Sequence, residues 1–179
     1  MNIETRIKTR NLTKISLLIA LLSISSYIII PLPFSMVSIT AQTIMINLIS
    51  FLLNSKESFV TIFIYLLLGI IGFPVFSYGT SGFSRLLGPT GGYLLGYLVS
   101  VTLVSYLKGK YFNFNKCLIL SIFIGIPTIY IFGCIHMRLL TSISLKTIIS
   151  TSILPFVPLD ILKCYLAAFL AKSINRIIH

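Results

Sequence analysis

Asp160 and Lys163 stand three residues apart in the segment Leu154-Pro155-Phe156-Val157-Pro158-Leu159-Asp160-Ile161-Leu162-Lys163. A helix that starts near Pro158 puts both side chains on one face. The carboxylate accepts N–H bonds, and the ammonium donates to a carbonyl or a carboxylate. Together they suit a small ligand with both donors and acceptors, such as a cyclic urea, an amide or an acid. A charge in a membrane costs about 2.5–3.5 kcal/mol on insertion scales, so a pair is seldom kept there without a use. The alternative is an ion pair that satisfies itself and holds helices together.

A second group of residues lies at 72–93. This stretch carries six glycines and two prolines among three phenylalanines and two tyrosines. It is neither a span nor a simple solvated turn. Glycine permits close backbone approach and positive φ, and aromatic rings offer flat apolar contact. The segment reads as a lid over a small ligand, with Gly79, Gly82, Gly88, Gly91 and Gly92 giving it its shape. A structured connector that plugs a helix bundle is the alternative. Phe76, Ser77, Tyr93 and the lone cation Arg85 are its candidate ligand contacts. Gly88-Pro89-Thr90-Gly91-Gly92 lacks the Gly-Lys-Ser/Thr ending of a phosphate loop, so no nucleotide site is indicated.

Gln42 and Asn47 lie in another apolar run, either facing a cavity or bonding to neighbouring helices. Gln42 is kept as a candidate contact. His136 and Arg138 end a fifth apolar run, where snorkelling accounts for them. Cys117, Cys134 and Cys164 are odd in number and lack metal-ligand spacing, so they read as small buried residues. Catalytic residues, a metal site and a cofactor are not expected. A membrane enzyme is disfavoured because the spans hold one acid and no acid–acid or Ser-His pairing.

The elements that position these residues follow from composition. Of 179 residues, 56% are hydrophobic and 9% charged, whereas a soluble domain carries about a quarter charged residues. An all-α integral membrane protein of one domain is expected. Six apolar runs appear at about 15–30, 39–53, 59–73, 91–107, 117–137 and 148–171. They read as six transmembrane helices, flanked by a cytoplasmic segment at 1–14 and a cytoplasmic tail at 172–179. Several fall short of about 20 residues, and neighbours such as residues 35–38 extend them. The runs lack the alternation that a barrel needs. The first has a basic flank but no small-x-small cleavage site, so it reads as a retained helix. No internal repeat is visible.

Net charge is +11, from 14 Lys and Arg against 3 acids. With six spans, one side holds Arg6, Lys8, Arg10, Lys14, Lys56, Lys108, Lys110, Lys116, Lys172 and Arg176. The other holds Arg85, Arg138 and Lys146. The positive-inside rule then places both termini in the cytoplasm and the 74–89 segment outside. This topology accounts for the basic residues without nucleic acid.

The run Tyr65-Leu66-Leu67-Leu68-Gly69-Ile70-Ile71-Gly72-Phe73-Pro74-Val75-Phe76, followed by Leu87-Gly88-Pro89-Thr90-Gly91-Gly92-Tyr93-Leu94, resembles the BioY family. So do Pro31-Leu32-Pro33-Phe34 leading to Thr40-Ala41-Gln42-Thr43, and the Pro155–Lys163 segment. The likeness runs from about residue 15 to 171. Leu159 stands where the family has glycine, a change that suggests a tilted Asp160 or a tighter pocket. The family's alanine-rich first-helix motif is reduced to Ser16-x-x-x-Ala20. The resemblance implies a six-helix substrate-binding (S) component of an energy-coupling factor (ECF) transporter, in the bacterial cell membrane. Its ligand is biotin, contacted by Asp160, Lys163 and Arg85. Its partners are membrane lipid, a transmembrane coupling subunit that meets Ser16 and Ala20, and two separate ATPases, since the chain has no Walker motif. Binding of another small vitamin or heterocyclic acid, or a purely structural role, are the alternatives.

Overall fold

Proline and glycine divide this chain into helices. The computed structural model describes residues 3–178, and the side chains of Glu4, Arg6 and Lys8 lie outside the described residues. α1 runs Ile3–Ser25, so the basic flank is helical. It is followed by strands β1 (Ile29–Ile30) and β2 (Ile39–Thr40), paired antiparallel with Ile29 opposite Thr40. Residues 15–30 were expected as one helix and residues 35–38 as an extension of the next. Pro31 and Pro33 prevent both, because neither can supply a helical N–H and each biases its predecessor to extended backbone. α2 is consequently short, Gln42–Leu52.

α3 (Ser55–Ile71) begins at a capping box. The Asn54 side chain accepts from the Glu57 N–H and the Glu57 carboxylate accepts from the Asn54 N–H. A 3₁₀ turn at Ser77–Gly79 and the short helix α4 (Phe83–Leu87) fill the segment before α5 (Gly91–Lys108). α6 (Phe114–Leu120) passes through a π turn at Ser121–Gly125 into α7 (Ile126–Leu140). The widening precedes Pro127, which has no N–H for the ladder. Ser100 of α5 donates to the Gly125 carbonyl there at 3.0 Å. α8 (Leu145–Ser152) and α9 (Val157–Ile178) form the sixth run, bent by 49° at the break. Pro155 and Pro158 account for that bend.

α5 is central, packed on α7, α3 and α2, while α9 lies against α2. Glycines let α5 and α7 approach. A methyl at Gly96 would come 2.9 Å from the Ile129 Cα, and one at Gly92 would collide with the Phe132 carbonyl. This is the small-xxx-small contact of membrane helices. Phe114–Leu140 is long and apolar enough to cross a membrane by itself, and the bent α8–α9 pair is a second candidate. The outside of the bundle is also apolar: Ile71, Phe123 and Leu139 are each more than 70% exposed. Such a surface fits lipid as its solvent. Cys117, Cys134 and Cys164 are all buried.

Candidate functional site

Asp160 is the fourth residue of α9, and the partial positive charge of a helix N-terminus favours a carboxylate there. It is 5% exposed. Lys163 donates to its Oδ1 at 2.9 Å, and the Thr43 hydroxyl of α2 approaches the same oxygen at 3.4 Å. The Tyr130 hydroxyl of α7 donates to Oδ2 at 2.6 Å. Three helices thus converge on one carboxylate. Ionised, it has about four lone-pair directions, and these contacts use three. The Lys163 ammonium keeps donors beyond the one given to Asp160.

The pair lines a chamber with Thr40, Tyr93, Tyr97 and Phe156 among its walls, about 340 Å3 of empty space with open solvent included. Val37, Ser38, Thr40, Tyr93 and Tyr97 also border an adjoining chamber, about 500 Å3 of empty space with open solvent included. That second chamber contains Gln42, Phe76, Ser77 and Arg85. All seven candidate contacts therefore border one two-chambered cleft. The acid–base pair is at one end and an isolated guanidinium is in the other chamber. Arg85, in α4, has no ion pair or hydrogen bond among the described residues.

Gln42 both lines the cleft and ties it together. Its amide donates to the Tyr65 hydroxyl at 2.6 Å and accepts from Ser77 at 3.0 Å and Thr40 at 3.3 Å. Tyr65 in turn donates its hydroxyl hydrogen bond to the Val75 carbonyl at 2.9 Å. Phe76 is fully buried, its ring edge-on to Tyr65 and seated over Gly69. These contacts fasten the 74–80 segment to α2 and α3. The Tyr93 hydroxyl is buried without a hydrogen-bond partner among the described residues; the Cys134 thiol and Ser152 hydroxyl are its polar neighbours. It borders both chambers, so a ligand polar atom would satisfy it.

The lid glycines divide in two. Gly79 (φ +63) and Gly82 (φ +93) take left-handed backbone that side chains resist. Gly91 and Gly92 sit instead in the first turn of α5, packed on Leu86 and on α7. They are packing glycines, a correction to their grouping with the lid. Gly88 has ordinary φ, and its carbonyl meets the His136 ring at 3.1 Å. Arg138 donates to the Ile143 carbonyl at 3.3 Å. Asn47 bonds the Thr43 carbonyl and the Cys164 sulfur, joining α2 to α9. Leu159 is 38% exposed and borders neither chamber. It therefore does not narrow the cleft. Ser16 and Ala20 lie exposed on α1, away from the cleft.

Several wall residues were not anticipated: Met36, Val37, Ser38, Thr40, Thr43, Tyr97 and Tyr130. The hairpin loop bearing the first three closes over the cleft, and Ser38 meets the Tyr78 hydroxyl at 2.8 Å. Pro31 and Pro33 were the available signal that residues 31–38 leave the helix. Nothing in the sequence marks Tyr97 or Tyr130 apart from tyrosines that merely pack.

Known proteins resemble this chain in sequence and in fold. A family model described as the BioY family matches residues 1–179. A protein of Lactococcus lactis subsp. cremoris named biotin transporter BioY2 is 34% identical over 170 residues, covering 94% of this chain and 92% of that one. A Thermotoga maritima protein named biotin transporter BioY is 30% identical over 168 residues, covering 94% and 97%. A crystal structure of the S-component for biotin from an ECF-type ABC transporter superposes with a TM-score of 0.88 at 27% identity. It covers 98% of this chain and 95% of the other.

Proposed function

The chain belongs to the BioY family, and from that membership we propose that it is the biotin-binding S subunit of an ECF transporter. The observation that carries the reading is the two-chambered cleft, with Asp160 and Lys163 in one chamber and unpaired Arg85 in the other. Biotin has a cyclic urea at one end, an apolar ring and chain in the middle, and a carboxylate at the other end. The remaining acceptor direction of Asp160 fits one ureido N–H, and Lys163 fits the ureido carbonyl. Lys163 is already neutralised at 2.9 Å, so the unpaired guanidinium of Arg85 is the better match for the carboxylate. Tyr93 and Tyr97 flank the apolar middle.

In this reading the six spans are α1, α2 with its ribbon, α3, α5, α6–α7 and α8–α9. Both termini are cytoplasmic, and the 74–89 segment covers the cleft from outside. The exposed Ser16/Ala20 face of α1 meets a membrane coupling subunit, and two ATPases supply the energy.

One observation favours a structural role for the pair: Asp160 already has three protein partners. Substitution separates the two readings. Removing a buried ion pair whole is often neutral or stabilising. Hydrogen bonds to a charged group contribute about 1.5–3 kcal/mol, which is about tenfold to a hundredfold in affinity. Asp160→Asn and Lys163→Met are each expected to weaken biotin binding by at least about tenfold. The double variant should insert and fold, yet bind no better than the weaker single. Near-native biotin binding by a well-folded double variant would make the pair purely structural.

A further inference from the structure

A groove on the outside of the bundle is not part of the cleft. One wall is Ile122, Ile131 and Ile135 of the α6–α7 span, and the other is Ile149, Ile153 and Ile161 along α8–α9. Its floor includes Tyr130, whose hydroxyl holds Asp160 on the far side. The lining is almost wholly apolar. It follows the helix that is long and apolar enough to cross a membrane and the bent pair beside it, so it lies at hydrocarbon depth.

Its dimensions choose the occupant. Ile122 to Ile135 spans about 20 Å of helix rise. The groove encloses about 990 Å3, even with its open side counted. An extended hydrocarbon chain fits a groove of that length and apolar lining. Charge chooses the head group. Arg138 lies one turn beyond Cys134 and Ile135 on α7, and Lys146 one turn before Ile149 on α8. Both are exposed, and Arg138 is held towards the connecting loop by the Ile143 carbonyl. Neither has an acidic partner among the described residues, where Asp160 and Lys163 form the one ion pair. Two cations without an acidic partner, each one helical turn from residues that line the groove, complement a phosphate ester.

We propose that this groove binds one acyl chain of an anionic phospholipid, with its phosphate at Arg138 and Lys146. The lipid fills the space behind Tyr130 and so backs the wall that positions Asp160. The inference rests on membrane placement and not on the identity of the cleft's ligand.

The test is native mass spectrometry of the full chain released from detergent, supplied with equal amounts of dioleoyl phosphatidylglycerol and phosphatidylcholine. The wild type is expected to retain one phosphatidylglycerol in preference to phosphatidylcholine. The Arg138→Gln/Lys146→Gln variant should lose that preference by at least about fivefold. Ile149→Trp fills the groove and should retain no lipid at the same concentration, with an unchanged melting temperature. Ile131→Phe is the second filling variant should Ile149→Trp fail to fold. Equal retention of the two lipids by the wild type, no retention at all, or undiminished retention by a folded filling variant would each overturn the proposal.

Discussion

At the scale of single residues, the arrangement turns on which charges are already answered by the protein. Asp160 and Lys163 answer each other at 2.9 Å, and Arg85, without an ion pair among the described residues, is the cation proposed for the ligand. This yields a chemical test that does not depend on stability. Arg85→Gln should weaken biotin at least about tenfold, the value of one charge-assisted hydrogen bond. The same substitution should leave affinity for biotinamide, which has no carboxylate, within about twofold. A parallel loss for both ligands would place the carboxylate elsewhere. The Asp160/Lys163 spacing was legible because three residues on one helix define a face without tertiary information. Tyr130, Thr43 and Tyr97 were not. They reach the site only once α2, α5 and α7 are packed, and a tyrosine or threonine in an apolar run carries no mark of its partner.

At the scale of elements, small residues decide where the helices lie. Gly92 and Gly96 bring α5 against α7, and that approach sets the distance between Tyr93 on one and Tyr130 on the other. Gly92→Val places a branched side chain against the Phe132 carbonyl and His136. Overpacking of this kind typically costs 1–3 kcal/mol. The variant should unfold several degrees below the wild type in a detergent thermal melt. An unchanged melt would show that the contact yields freely. The broad apolar runs were readable from hydropathy, but their ends were not. The first run lost Ile29 and Ile30 to a strand, and residues 35–38 fall in the loop between β1 and β2, because Pro31 and Pro33 outweigh an apolar neighbourhood. Glycine alone also misleads, since Gly79 and Gly82 bend backbone whereas Gly91 and Gly92 make room for a neighbour.

At the scale of the whole molecule, the proposed orientation rests on charge asymmetry and the proposed function on the cleft. The native cysteines are buried, so a new thiol at half-exposed Ser81 reports cleanly. Ser81→Cys should react with an impermeant maleimide in intact cells. Labelling only after lysis would invert the topology and put the cleft on the cytoplasmic side. The central claim is that this chain alone recognises biotin, with the coupling partners needed for movement and not for capture. Equilibrium dialysis of the purified chain in detergent against radiolabelled biotin tests that claim most directly. Saturable binding of one biotin per chain, displaced by unlabelled biotin and not by riboflavin or thiamine, is the predicted result. A folded chain that shows no saturable binding, or whose bound biotin is displaced equally by the other vitamins, would contradict it.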